Sequence, residues 1–209
     1  MSSERTGRTV THRLGAWSAE LILVFIGAYA AFWLNNYQER QRDAQRRDVI
    51  LASLEEEVRA SINGAQTEAQ TEEKQAAAFR RALEAGEIPT LRPFSFISDY
   101  SPTDVATLLQ SGGVELLDPK TLIALRNVES TLRRGLALMA RYERLSDQLI
   151  VPNVDQGPSF FYDPTTGKLR KRFEDYPQSI EDTAQFFRNL EKAQTELLKQ
   201  MGVERRQHK

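Results

Sequence analysis

The sequence predicts a mainly α-helical protein, in which one N-terminal transmembrane helix continues into an antiparallel helical bundle with a candidate small β-hairpin. Three observations lead to this prediction: an apolar stretch near the N-terminus, later segments with apolar residues three and four positions apart, and clear helix start and stop signals. We expect four parts: a short tail (1–13), a transmembrane helix (14–37), a long juxtamembrane helix (38–86), and the remaining bundle (87–205) with a hairpin insert near 159–173.

The apolar core of the predicted transmembrane helix is residues 14–34, LGAWSAELILVFIGAYAAFWL. At about 1.5 Å per residue, a helix of this length spans about 31 Å, the thickness of a bilayer's hydrocarbon core. Trp17 lies near one end of the stretch, and Trp33 and Tyr37 lie at the other, where aromatic rings favour the membrane interface. Two alternatives remain: a buried helix of a water-soluble protein, and a signal peptide cleaved near Ala-Tyr-Ala at 28–30.

One face of this helix contains a pair of small residues and an acid. Glu20, Val24, Gly27 and Ala31 fall on that face, and Gly27 and Ala31 form a small-xxx-small pair that lets a second helix approach. A carboxylate inside a membrane usually faces protein or water. We therefore expect a helix–helix contact, with a second copy or another membrane protein. The alternative is a lipid-facing anchor in which Glu20 reaches the near interface.

Arginines flank the apolar stretch on both sides, so the positive-inside rule does not decide its orientation. They are Arg5, Arg8 and Arg13 before the stretch, and Arg40, Arg42, Arg46 and Arg47 after it. We expect an exported, periplasmic C-terminal domain, because a short arginine-bearing tail retained inside is the simplest signal-anchor arrangement.

Three later segments have the pattern of amphipathic helices. The first follows the anchor, carries apolar residues four apart (Ile50, Leu54, Val58, Ile62), stops at Gly86 before Pro89, and has a candidate break at Asn63-Gly64. The second starts at Asp118-Pro119 and ends before Val151-Pro152. The third opens with an acidic capping box at Ser179–Asp182 and frays at Gly202.

A short helix is predicted from Ser101-Pro102, ending at a turn of Ser111, Gly112 and Gly113. A second local feature is the run Phe160, Phe161 and Tyr162. It exceeds what one strand face can bury, so it is a candidate partner surface, with packing onto the bundle as the alternative.

The composition argues against several classes of function. The chain has 209 residues and a net charge of −1. It contains no cysteine, and this absence excludes disulfides, thiolate metal sites and cysteine nucleophiles. Its two histidines, His12 and His208, lie near the termini. We therefore expect no enzyme, no metal and no cofactor. Acidic residues dilute the arginines of the second amphipathic segment, so we expect no nucleic-acid partner either.

Two stretches resemble a bacterial family of single-pass inner-membrane proteins of unknown function. The first contains Glu20-Leu-Ile-Leu, Gly27 and the exit Leu34-Asn-Asn-Tyr-Gln-Glu-Arg40, and the second contains Leu108-Leu-Gln-Ser-Gly-Gly113 followed by Leu116-Leu-Asp118. The chain departs from the family pattern at Tyr37, where tryptophan is usual, and at Gln38, where asparagine is common. The resemblance implies a bacterial inner-membrane location and brings no reaction and no catalytic residues.

The sequence thus favours a non-enzymatic, membrane-anchored helical interaction or scaffold protein, whose partners are the lipid bilayer and a second copy or another membrane protein. The alternative is a membrane-tethered helical sensor domain that binds a small molecule between its helices.

Overall fold

A computed structural model describes residues 8–95 and 113–208, with side chains from residue 23 onward. Its described part is mainly helical and contains three long helices, which we label α1 (Arg8–Glu84), α2 (Pro119–Leu149) and α3 (Tyr176–Gln207). Short 3-10 helices cover Val114–Leu116, Val151–Gln156, Pro158–Phe161 and Lys171–Phe173. The chain divides into two compact units, Met1–Arg47 and Asp48–Lys209.

Local sequence signals set several helix ends. α1 ends where predicted: Gly86 adopts a φ of 73°, its N–H bonds Leu83 O at 3.1 Å, and the Glu87 N–H bonds Ala82 O at 2.9 Å. This pair of bonds is the Schellman motif, which a glycine at the left-handed position makes possible. α2 begins with Pro119 in its first turn after Asp118, and it ends before Val151-Pro152. Both of these predictions are confirmed.

Other predicted boundaries are wrong. α1 runs through Asn63-Gly64 without a break. α3 begins at Tyr176, one turn before the expected capping box, and Ser179 lies inside the helix with its hydroxyl donating to Tyr176 O at 2.6 Å. It also continues past Gly202. Asn, Ser and Gly each disfavour a helix interior by only about 1 kcal/mol or less, so none of these signals is strong enough to set a helix end.

Three clusters of buried side chains make up the core of residues 48–209, and each joins α1 to residues of α2 and α3 or next to them. The first contains Leu51, Leu54, Val58, Leu117, Ala124, Leu125, Leu197 and Met201. The middle one contains Ala65, Ala69, Met139, Phe186, Phe187 and Leu190. The last contains Phe79, Leu91, Ile150, Phe161, Tyr162, Phe173 and Ile180. Residue numbers rise along α1 and α2 and fall along α3, so α3 runs antiparallel to both of the other helices.

Polar contacts join α1 to α3 along this antiparallel pair. Their partners are Glu55 with Arg205, Ser61 with Gln194, Gln66 with Glu191, Glu73 with Arg188, and Arg80 with Glu181. The Arg188 guanidinium bonds both carboxylate oxygens of Glu73, at 2.6 and 2.7 Å, a two-pronged geometry that fixes register. Glu55 and Glu73 are thus both paired with arginines of α3.

Small residues allow helices to approach closely in the middle of the bundle. Ala65 and Ala69 are fully buried on α1, at the point where its apolar stripe thins to alanine. On α2, a Cβ placed on Gly135 would lie 1.9 Å from Cε2 of Phe186. The Phe186 ring therefore occupies the space that any side chain at position 135 would need.

The predicted hairpin near 159–173 is wrong. Tyr162 and Leu169 form one isolated antiparallel bridge, and 3-10 turns lie on either side of it, so the described part of the chain contains no strand at this place. A strand would point Phe161 to the face opposite Phe160 and Tyr162. The 3-10 turn instead lets Phe161 and Tyr162 both enter the last core cluster.

Candidate functional site

The most unusual surface in the described part of the chain is an apolar segment of α1. We call it the apolar segment and define it by Leu23, Val24, Phe25, Ile26, Tyr29, Phe32, Trp33, Leu34 and Tyr37. These side chains are between 49 % and 74 % exposed, and they point in all directions around the helix. Single exposed apolar residues are ordinary, but a contiguous set of this size marks a surface that something else covers.

The predicted contact face lies partly within this segment. Val24 and Ala31 are exposed, and a Cβ on Gly27 would meet nothing within 4 Å, so this side of the helix is open. Because these residues are three and four apart on one continuous helix, they share a face. The side chain of Glu20 lies outside the described residues. The contact itself stays a prediction.

The aromatic residues at the end of the segment lead into polar sequence. The rings of Trp33 and Tyr37 stack with centroids 5.9 Å apart and an interplanar angle of 14°. Gln41 Nε2 donates to the Tyr37 hydroxyl oxygen at 2.8 Å. An aromatic pair with its polar end satisfied by the next turn suits a boundary between apolar and aqueous surroundings.

Within the residues whose side chains are described, no helix is both long and apolar enough to cross a bilayer. Residues 14–22 of the predicted span are not among them. The transmembrane helix therefore stays a prediction.

The structure corrects the candidate partner surface at Phe160, Phe161 and Tyr162. Phe161 and Tyr162 are 0 % and 1 % exposed, and Phe160 is half-buried against the same cluster. Tyr162 donates its hydroxyl hydrogen to Pro89 O at 2.8 Å, and burial raises the pKa of its phenol to about 12. Phe161 and Tyr162 are core residues, so they offer no surface to a partner.

The predicted Ser-Gly-Gly turn is described only at its last residue. Ser111 and Gly112 lie outside the described residues, as does the short helix predicted before them. Gly113 is buried with a φ of −71°, and it precedes the 3-10 helix Val114–Leu116. Its own backbone therefore needs no left-handed conformation.

A cavity of about 90 Å³ lies where the end of α2 meets the start of α3. We call it the Arg172 cavity. Its lining is Phe94, Tyr142, Leu145, Ser146, Leu149, Ile150, Arg172, Phe173, Asp175, Tyr176 and Ser179. No single sequence motif indicated this site, because its residues come from four separate segments and only the packing brings them together.

Most polar groups of the Arg172 cavity are used inside the protein. Tyr142 donates a hydrogen bond to Asp182, and burial, followed by that bond, raises the pKa of Tyr142. Ser146 Oγ accepts the Phe94 N–H at 2.7 Å. Tyr176 accepts the Arg92 N–H at 2.9 Å and donates back to Arg92 O. The tyrosines therefore stay neutral and hold segments together.

Neither the described side chains nor comparisons with known proteins point to a metal site or a family. No group of three or more His, Cys, Asp or Glu side chains that could hold a metal ion occurs among the described residues. Comparisons of the chain with protein-family models, with curated proteins and with solved structures gave no match. The family resemblance described from the sequence stays a prediction.

Proposed function

We propose that this chain is a non-enzymatic, single-pass membrane protein that acts as a helical interaction or scaffold module. Residues 14–37 anchor it, and the face with Glu20, Val24, Gly27 and Ala31 contacts a second copy or another membrane protein. The observation that supports the proposal is the exposed apolar segment. We further propose a bacterial inner-membrane location with a periplasmic C-terminal domain, in keeping with the family resemblance.

The energetics favour lipid as the cover of the apolar segment. Leu, Ile, Val and Phe occur eight times from residue 21 to residue 34, which amounts to about −2.4 to −4.8 kcal/mol toward insertion at about −0.3 to −0.6 kcal/mol each. One charge at the centre of a span costs about 2.5–3.5 kcal/mol, but Glu20 lies off centre and costs less.

The surface of the bundle offers little apolar area for a partner, which favours a partner contact at the anchor. Among described residues outside the apolar segment, five large apolar side chains stay exposed: Val49, Ile88, Ile123 and the neighbours Val151 and Val154. A few exposed residues of this kind are ordinary for a protein surface. The bundle satisfies its own core, which leaves the anchor helix as the best-supported interaction surface.

Membrane extraction of the full chain tests the anchor. We expect the protein to stay in the membrane pellet under alkaline carbonate and to leave it in mild detergent. Ile26→Arg should weaken insertion, because it puts a charge near the centre of the span, whereas Gln38→Arg beyond the span should not. Recovery of the wild-type chain in the carbonate supernatant would refute the anchor.

Crosslinking in membranes tests the contact face. We expect Gly27→Leu to reduce crosslinked dimers, since leucine there blocks close approach of a second helix. Ser18→Leu is the matched control, because it also replaces a small residue of the proposed span with leucine, on the side of the helix opposite Gly27. Equal loss in both variants, or no loss in either, would contradict a specific contact.

A second candidate function is a membrane-tethered helical sensor domain, and the Arg172 cavity is the observation that favours it. The cavity is partly open to solvent and is lined by residues of α2, α3, the segment between them and Phe94. A molecule that binds there would stabilise the junction of those elements.

A further inference from the structure

The Arg172 cavity combines an apolar interior with two opposite charges. Leu145, Leu149 and Phe173 supply apolar lining, and the charged residues are Arg172 and Asp175. Both charged residues are exposed, so they lie at the rim and not in the core. This is the usual arrangement of a small-molecule site: an apolar pocket with a few polar groups that fix orientation.

Arg172 is held in place without using its hydrogen-bond donors. Its guanidinium carbon lies 4.9 Å from the ring centroid of Phe160 and 4.7 Å from that of Phe173. Such cation–π contacts orient the side chain. Within the described part of the chain, Arg172 forms neither an ion pair nor a hydrogen bond, so its forked N–H groups remain available to a carboxylate.

Asp175 complements Arg172 at the same rim. It lies immediately before α3, where its side chain makes no capping hydrogen bond. No ion pair within 4 Å joins Asp175 to Arg172, or to any other residue that the structure describes. The rim therefore offers one donor group and one acceptor group that do not pair with each other and that have no partner among the residues the structure describes.

The size of the cavity restricts what its interior can hold. At about 90 Å³ it is several times the roughly 10–15 Å³ that one water needs on the same measure. It is smaller than the engineered cavity of about 150 Å³ that admits benzene, and far below the roughly 300–1,000 Å³ of pockets for drug-sized ligands. The interior is too small to enclose a nucleotide, and its size suits a side chain of a few carbons.

We propose that the Arg172 cavity binds a free α-amino acid with a small branched apolar side chain. The carboxylate pairs with Arg172, the ammonium group pairs with Asp175, and the side chain enters the cavity. This inference rests on the sensor candidate and does not depend on the membrane anchor. An amino acid is the expected ligand class because a zwitterion pairs with both Arg172 and Asp175, whereas a simple acid or amine pairs with only one of them.

Thermal unfolding of the full chain in mild detergent, followed by circular dichroism, tests the proposal. The probes are L-leucine and L-valine, with 4-methylpentanoate as the acid lacking the amine and 3-methylbutylamine as the base lacking the carboxylate. At about a hundredfold its Kd, leucine should raise Tm by about 5–10 °C. The two single-charge probes should give a much smaller shift at the same concentration.

Three variants tie the shift to the site. We expect the leucine-induced shift to be lost in Arg172→Gln and in Asp175→Asn, and to be kept in Lys171→Gln, which changes a neighbouring exposed charge outside the cavity. The Tm of each variant without ligand shows whether it folds. If Arg172→Gln does not fold, the leucine-induced shift of Asp175→Asn tests the site. No shift with either amino acid, or an equal shift with 4-methylpentanoate, overturns the proposal. Carbonate extraction of Asp175→Asn tests the anchor separately.

Discussion

The close contact between Gly135 and Phe186 makes a prediction whose sign opposes the general rule for glycine in helices. Gly135 is buried in α2, where a Cβ would lie 1.9, 2.1 and 2.5 Å from three carbons of the Phe186 ring. That ring is 6 % exposed and packs against Phe187, with ring centroids 5.0 Å apart. Gly135→Ala therefore requires this buried ring to move.

Two effects compete in this substitution. Alanine is favoured over glycine in a helix interior by about 1 kcal/mol. Overpacking a well-packed core costs about 1–3 kcal/mol, because side chains leave their preferred rotamers. Since the contact lies far inside van der Waals distance, we expect the upper part of that range and a net loss of about 1–2 kcal/mol. For a chain of this size, that lowers Tm by about 2–8 °C.

Gly202→Ala is the matched control. Gly202 also lies within a helix, but its Cβ would meet only the Arg206 guanidinium, at 3.7 Å, which is ordinary contact. There the helix preference acts alone, and we expect Tm to rise. Thermal unfolding of the full chain in mild detergent, followed by circular dichroism, measures both changes.

A double substitution isolates the cause. In a Phe186→Leu background the ring is gone, so Gly135→Ala should become neutral or stabilising. If Gly135→Ala raises Tm in the wild-type chain, or if its effect is the same in both backgrounds, the steric explanation is refuted.

Two further predictions follow from the bundle. Tyr162→Phe removes the hydrogen bond from the buried phenol to the carbonyl oxygen of half-buried Pro89, so thermal unfolding should show a loss of about 0.5–1.5 kcal/mol; an unchanged Tm would mean that water replaces the hydroxyl. The bond from Arg188 holds the pKa of Glu73 below its ordinary 4.5, so the stability from this pair is present above that value and is lost as pH falls through the lowered pKa. The Tm difference between wild type and Glu73→Gln should accordingly vanish in acid, and a difference that persists there would contradict the assignment.

Helix ends with strong local chemistry were predictable from the sequence. Pro119 removes a backbone donor that the first turn does not use, and Gly86 adopts a left-handed conformation that other residues avoid. These effects act within a few residues, so they can be predicted from the local sequence. The three amphipathic segments were predictable for the same reason, since apolar spacing follows directly from 3.6 residues per turn.

Features set by contacts between distant residues were not predictable. Ser179 had the pattern of a helix cap, but its helix begins a turn earlier, at Tyr176. Tyr176 packs on Phe79 of α1, with ring centroids 5.3 Å apart, and bonds the backbone of Arg92. No local pattern reveals such partners, because they lie far away in sequence.

The sequence alone determined that this is a mainly helical chain with three amphipathic helical segments, and it located their strongest starts and stops, because capping and periodicity are short-range. Only the tertiary structure decided which aromatic residues are core and which charged groups have no partner among the described residues. Phe161 and Tyr162 are buried because the backbone changes from a 3-10 turn to an extended conformation between them. Two aromatic rings hold Arg172, which forms no hydrogen bond or ion pair within the described part of the chain. Both outcomes depend on long-range packing, whose energy belongs to the assembled bundle and not to any one segment.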